Sequence, residues 1–421
     1  MERLSLKELT VPIIKAIDSF NYLLESHHRR TAIISYHIGK KLNLNDIELF
    51  ELVVAAALHD IGALSVEERD SLIKEDVEDP TPHCIMGYHM LASFEAFKII
   101  AQIIKHHHIK YSESADFKRG EVLFQSHVLH LADRVDILIS TNDFIFNQKE
   151  KVIKNIQEKV TSTFHPEVFK AFEEVAKSDV FWIEINSLDI DQLFKKVNFV
   201  IDYKLDVDNI INFALTLSRI IDFRSRFTTA HSYTVAHLAK LLGSYFDFSE
   251  ERCKKLMVAG YLHDIGKIGI DPGIIEKKGP LTDGEFKIMK QHAYYTGQIL
   301  NELNVSEWFS EIVTWAERHH EKIDGSGYPF AINGKSLDQG VKILAYADII
   351  SALMEDRPYR EGLTLEAAFD IIREKISCSL SNDMFVEIES HKKEINNLVL
   401  TCQQYTFEEY NSTLNKTLHS A

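Results

Sequence analysis

Residues 256–269 read LMVAGYLHDIGKIG, and residues 52–65 read LVVAAALHDIGALS: an apolar run, a His-Asp pair, then isoleucine and glycine, written twice in one chain. The repetition extends outward from these stretches. His27 precedes His59 by 59 − 27 = 32 residues, and His231 precedes His263 by 263 − 231 = 32. Upstream of each, Ile13, Ile17, Phe20 and Leu24, and later Ile210, Phe213, Leu217 and Ile220, fall at helical spacing and mark an amphipathic helix. Downstream, Asp133 in LHLADRVDIL matches Asp348 in ILAYADIISAL, so the offset between copies grows from 231 − 27 = 204 to 348 − 133 = 215. Loop insertions in the second copy produce such growth, and the pattern is that of an internal duplication.

The composition agrees with a helical reading. Only 8 Pro and 17 Gly occur in 421 residues, which excludes β-rich repeats, collagen-like segments and long disordered linkers. The expected fold is all-α, two tandem helical bundles over residues 1–204 and 205–421. Between about Phe181 and Asp206 the chain has mixed polarity with neither Gly nor Pro, which predicts a helical or extended connector and not a flexible tether.

Bulk chemistry narrows the function classes. The formal charge is 47 − 63 = −16, so no general basic field exists to hold DNA or RNA. Cys84, Cys253, Cys378 and Cys402 are widely spaced without a CxxC pair, so neither a disulfide framework nor a thiolate zinc site is indicated, and they read as inert helix residues in a reducing compartment. No apolar run reaches about 18 residues and the N-terminus lacks a signal-peptide pattern. The expectation is a cytoplasmic protein with no membrane partner.

The second copy gathers His231, the pair His263 and Asp264, His292, the pair His319 and His320, and Asp348. Imidazole and carboxylate without thiolate suit divalent ions such as Mn, Fe or Zn. Seven candidate ligands exceed the three or four of one catalytic ion, which favours two ions sharing a carboxylate. Leu256, Ala259, Gly260 and His263 share one helix face, and Asp348 lies in a nearly all-apolar helix where an unpaired carboxylate would be costly. Thr282 to Glu285 reads as a capping box opening a helix that carries His292 two to three turns in.

AHSYTVAHLAKLLG, YLHDIGKIGI, KKGPLTDGEFKIMKQHAYYTGQIL, HHEKIDGSGYP and ADIISALMEDRPYR together resemble the HD-GYP family of bacterial cyclic-dinucleotide phosphodiesterases, over roughly residues 206–376. The resemblance implies two HD-domain bundles, the second an HD-GYP domain. It implies that the seven residues above hold two divalent ions, Fe, Mn or similar, with Asp264 bridging. Lys267 would contact the scissile phosphate, and Gly325, Gly327 and Pro329 would shape a loop of positive φ presenting Tyr328. Arg357 and Arg360 would hold the other phosphate or a guanine base. The chain departs from the family at Phe227, where some members carry the Glu of a third-metal site, and at Ser351, where an Asp is frequent. Ser351 bears on substrate contacts or on a supporting hydrogen bond. The implied reaction opens the cyclic dinucleotide to the linear one by in-line displacement of a 3′ oxygen.

The first copy keeps His27, His59, Asp60, His83, His106 or His107, and Asp133, but Ala63 replaces Lys267 and HIKYSESADF stands where the glycine loop should follow. It reads as a degenerate HD domain with a regulatory, dimerising or packing role, which leaves a homodimer open. A worn HD copy before an intact one resembles the members that cleave 3′,3′-cGAMP, and cyclic di-GMP is the other substrate kept. The rival reading is a receptor or signalling scaffold that binds a cyclic dinucleotide without cleaving it. The full metal set and Lys267 weigh against it, since binding alone needs no hydrolytic centre.

Overall fold

The computed structural model describes residues 6–20, 26–63, 81–116, 120–140, 142–197, 206–222, 230–275, 277–303, 307–332, 334, 337–356, 360–375 and 377–419. Among them there is no strand, and every regular element is a helix. The chain divides into two compact units, one within residues 5–203 and the other within 204–412. The connector expected near 181–206 contains two helices, Asp179–Ser187 and Ile190–Lys196. Part of it, like Phe227 and Arg357, lies outside the described residues.

In the first unit, α1 (Leu6–Phe20) is followed by α2 (His27–Lys41) and α3 (Asp46–Leu58), with α4 (Thr81–Leu91), α5 (Lys98–Lys105) and α6 (Phe124–Ile137) beyond. Helix α2 packs against both α3 and α6, and α4 against α5. Asn45 starts α3 with a full capping box: its side chain accepts from the Ile47 and Glu48 amides, and Glu48 returns the bond. Beyond it, Leu49, Phe50 and the run Leu52–Leu58 are buried, so the helix is apolar nearly all round and must sit at the centre of its unit.

The second unit repeats the plan with α7 (Val207–Asp222), α8 (His231–Tyr245), α9 (Glu250–Leu262), α10 (Asp283–Met289), α11 (Gln291–Glu302), α12 (Glu307–Glu317) and α13 (Gln339–Met354). Helix α8 packs against α9 and α13 as α2 does against α3 and α6. Ile210, Phe213, Leu217 and Ile220 of α7 are all buried, as their spacing predicts. Ser249 caps α9 by accepting from the Arg252 amide at 3.3 Å. Leu256, Val258, Ala259 and Leu262 then bury almost completely, worth about 1.5–3 kcal/mol for each leucine or valine. Under Trp315 the chain can pass only because residue 340 is glycine, since a Cβ there would lie 2.3 Å from the indole. The indole N–H donates to Asp338, the cap of α13, at 2.6 Å.

One expectation fails in detail. The Thr282 capping box forms, but α10 ends at Met289 and His292 sits at the start of a separate helix, α11. The two helices part at Lys290, whose backbone stays in the right-handed helical region, so His292 falls in the first turn of α11 instead of deep within α10.

Candidate metal centres

Each ligand candidate of the second unit stands at or near an element's end, except Asp348. His231 opens α8, His263 and Asp264 follow α9, His292 opens α11, and His319 and His320 follow α12. Asp348 projects from the middle of α13. All seven come together. His231 Nε2 lies 3.3 Å from Asp348 Oδ1 and 3.6 Å from Asp264 Oδ2. His263 Nε2 lies 3.3 Å from Asp264 Oδ2 and 3.9 Å from Asp348 Oδ1. The other oxygen of Asp264, Oδ1, faces His292 Nε2 at 3.4 Å, and His292, His319 and His320 form a second group of donors within 4.8 Å of one another. Asp264 thus points one oxygen into each group.

The imidazoles are oriented for metal. His263, His292 and His319 each donate Nδ1–H to the carbonyl three residues earlier, Gly260, Met289 and Ala316, at 2.8, 2.5 and 2.7 Å. That fixes the tautomer and leaves Nε2 as a lone pair aimed inward. All three Nε2 atoms are buried without a hydrogen-bond partner among the described residues. Donor separations of 3.3–3.6 Å match the edges of a polyhedron with bonds of about 2.0–2.2 Å, so the donor set fits a divalent ion. Burial pushes His319 down to about 3 and holds His292 below its usual range, so both are neutral donors at physiological pH. Burial opposes ionisation of Asp264, yet the Lys267 ammonium and His263 hold its carboxyl well below the usual carboxylate range.

Two neighbours make the site more than a cage. Lys267, on the short 3₁₀ turn Ile265–Gly269, places Nζ 2.5 Å from Asp264 Oδ2. Gly266 between them is pressed against α11: a Cβ there would fall 2.0 Å from the His292 carbonyl. Its amide donates to Thr296 Oγ1, whose hydroxyl donates to the His263 carbonyl. The loop of residues 324–329 brings the Tyr328 ring to 4.7 Å from that of His320, with Lys290 Nζ 5.1 Å above it. Gly325 has φ 75°, but Gly327 does not share it; Gly327 is required instead because a Cβ would lie 2.5 Å from the Glu321 Cα and the Lys322 amide. The residue that secures this loop is Glu321, fully buried, whose carboxylate accepts the amides of Phe330, Ala331 and Ile332 at 2.6, 3.1 and 2.9 Å. Sequence reasoning missed it, because a charged residue beside a His pair reads as surface.

The remaining candidates stand apart from the donors. Arg360 donates to the Leu353 and Glu361 carbonyls and to that of Ala352, closing the C-terminal end of α13. Ser351 is buried, with no hydrogen-bond partner for its hydroxyl among the described residues. One turn later Glu355, also missed, places Oε2 3.4 Å from His231 Nδ1.

The first unit builds the same ring. His27 Nε2, His59 Nε2, Asp60 Oδ2 and Asp133 Oδ1 are mutually 3.2–3.6 Å apart over the measured pairs. Asp60 Oδ1 faces His83 Nε2 at 3.5 Å. The histidine pair is His107 and His108: His107 repeats the bond of His319 by donating Nδ1–H to the Ile104 carbonyl, and both join His83 and Cys84 in one donor group. His106, named from the sequence as an alternative to His107, is not in that group. Asp136, in register with Ser351, accepts Nδ1–H of His27 at 2.6 Å and is gripped by Arg30 at 2.5 and 3.0 Å.

The family model described as "HD domain" matches this chain twice, over residues 13–162 and 216–377. Among curated proteins, the chain is similar to "3′3′-cGAMP-specific phosphodiesterase 1" of Vibrio cholerae, 26% identical over 392 residues that cover 89% of this chain and 88% of that one. It is also similar to a "Cyclic di-GMP phosphodiesterase" of Thermotoga maritima, 36% identical over 173 residues covering 41% of this chain and 46% of the relative. A crystal structure of a cyclic GMP-AMP specific phosphodiesterase of V. cholerae superposes with TM-score 0.60, covering 92% of this chain and 98% of that chain at 22% identity, a likeness of fold. With the family pattern matched across both copies of the HD motif, the chain belongs to the HD domain family.

Proposed function

We propose that the second unit hydrolyses a phosphodiester bond of a bacterial cyclic dinucleotide, 3′,3′-cGAMP or cyclic di-GMP, to give the linear dinucleotide. The observation that carries this reading is the inward-facing ring of His231, His263, Asp264, His292, His319, His320 and Asp348 with the Lys267 ammonium at its edge. A receptor has no use for such a cation beside an ion cage. The end-to-end likeness to a 3′3′-cGAMP-specific phosphodiesterase supports the substrate class and puts 3′,3′-cGAMP first.

In this reading His231, His263, Asp264 and Asp348 hold one divalent ion and His292, His319, His320 and Asp264 the other, Mn or Fe being the metals suited to the donors. Such ions would acidify a water molecule and neutralise charge on the phosphoryl oxygens. Lys267 supplies a further cation for the equatorial oxygens as charge builds on them. Tyr328 offers its ring and hydroxyl beside His320 to orient the dinucleotide. Arg357 is assigned to the second phosphate or a guanine. Arg360 would join it only by exchanging the carbonyls it now holds. Ser351, being buried, would act on the shape of the pocket and not by direct contact with the dinucleotide.

Asp348 and His320 are the more open members of the ring, with side chains 14% and 27% exposed, so substrate would enter from their side. No helix among the described residues is long and apolar enough to cross a membrane. The test is turnover of both cyclic dinucleotides by one preparation, stripped of metal and reloaded with Mn or Fe. Recovery of a linear product supports the reading; tight binding with no product from either nucleotide overturns it in favour of a receptor.

A further inference from the structure

The first unit has lost its lysine and its glycine loop, yet among the described residues its donors keep their supports. His59 and His107 donate Nδ1–H to the carbonyls of Ala56 and Ile104 at 2.8 and 2.7 Å, and His27 donates to Asp136. Asp136 is itself clamped by Arg30, which completes a carboxylate–histidine support of the kind that orients metal ligands. In the second unit Ser351 stands in the register of that aspartate, and the carboxylate behind His231 comes instead from Glu355, whose Oε2 lies 3.4 Å from Nδ1. A unit kept only for packing has no need to hold three tautomers with their lone pairs inward.

The donor geometry is compact enough for ions. Five of the six edges among His27 Nε2, His59 Nε2, Asp60 Oδ2 and Asp133 Oδ1 measure 3.2, 3.2, 3.3, 3.6 and 3.6 Å. A tetrahedron with bonds of about 2.0–2.1 Å has edges of about 3.3–3.4 Å. On the far side of Asp60, His83 Nε2 lies 3.4 Å from His107 Nε2. Here the first unit adds what the second lacks. Cys84, in register with Ala293, puts Sγ 3.6 Å from His83 Nε2, near the edge expected when one bond is a metal–sulfur bond of about 2.3 Å. Cys84 is 2% exposed, shielded from casual oxidation. The centre is closed as well: the Asp133 side chain is 3% exposed where that of Asp348 is 14% exposed.

We infer that the first unit is a thiolate-bearing metal centre, in which His83, Cys84, His107 and His108 bind a transition ion of the borderline class, such as Zn(II), Co(II) or Fe(II), next to the His27, His59 and Asp133 subsite across Asp60. Binding forms a metal–sulfur bond and releases the thiol proton to solvent. Sulfur donation shifts this subsite toward softer ions than the all-nitrogen and oxygen ring of the second unit would take. With Ala63 in place of the lysine and no tyrosine loop, the centre holds its ion without handling a phosphate.

The experiment uses the full chain, stripped of metal and titrated with Co(II) chloride, in an Asp264→Ala background that weakens the second centre. Expected are bound cobalt and a thiolate-to-cobalt charge-transfer absorption. In Cys84→Ser, a change of one atom, the band vanishes and cobalt affinity at this subsite falls by more than the roughly 10–100-fold typical of losing a supporting residue. In His59→Ala with Asp60→Ala, bound cobalt per chain drops, circular dichroism showing the helices retained. Absence of the band, its persistence in Cys84→Ser, or an unchanged cobalt count in the double variant each overturns the inference. None of these readouts involves turnover, so they stand or fall independently of whether the second unit hydrolyses a dinucleotide.

Discussion

Ala63 and Lys267 occupy one position in two units that otherwise carry matching rings of histidine and aspartate. The rings agree down to detail: the Nδ1–H bond to the carbonyl three residues back recurs at His59 and His263 and again at His107 and His319. The units part where a phosphate would have to be gripped. One has a cation 2.5 Å from its central aspartate and a tyrosine ring over its last histidine, and the other has a buried methyl and no corresponding glycine loop. Under the proposed function, holding an ion and handling a phosphodiester would be separable properties of this fold: the ring would supply the first, and a single helical turn plus one loop the second.

The sharpest test of that separation exchanges the central aspartates. Asp264→Ala should lower turnover by at least about a thousandfold, because it removes the carboxylate shared by both donor groups. Asp60→Ala should leave turnover within about threefold of the parent, since steady-state kinetics then reads the second unit alone. Equal losses in the two variants would break the comparison. Lys267→Ala is expected to reduce kcat by about 10²–10³ while bound metal per chain stays unchanged, the signature of charge stabilisation lost without loss of the cage. A fall in metal content in step with kcat would instead make the lysine a part of the cage. The smallest effect concerns the shared scaffold. Asn45→Ala and Ser249→Ala remove equivalent caps from α3 and α9, and each should cost about 1 kcal/mol in denaturant unfolding of its own unit. A cost confined to one unit would mean that the two bundles are not built alike.

Much of this was legible in the sequence because the duplication made each signal appear twice. The apolar stripe of α7, the paired ligands and the position of Asp348 in an apolar helix follow from spacing that the structure repeats, while the side chains of Ile17, Phe20 and Leu24 in the earlier stripe lie outside the described residues. The rest depended on contacts between residues far apart in the chain. Three adjacent histidines, His106 to His108, cannot be assigned by spacing; only the Ile104 carbonyl selects His107. Glu321 looks like a surface residue until the three loop amides converge on it. Cys84 reads as an inert core thiol because its partner His107 lies 23 residues away. The break before α11 carries no Gly or Pro, so a continuous helix was the natural expectation.

Gly266 and its counterpart Gly62 bear on how these centres fail. At each, a Cβ would strike the carbonyl of the next histidine ligand, His292 or His83, at 2.0–2.1 Å. The turn that carries His-Asp and the helix that carries the following histidine thus meet backbone to backbone, with no side chain between them to act as a cushion. Side-chain cores can loosen by rotamer hopping, but a contact between main chains has no such slack. The distance between the two donor groups is in effect a dimension machined into the chain. Heat or denaturant should leave it intact until the turn leaves the helix altogether, so the ions would be released in one step and not by gradual weakening.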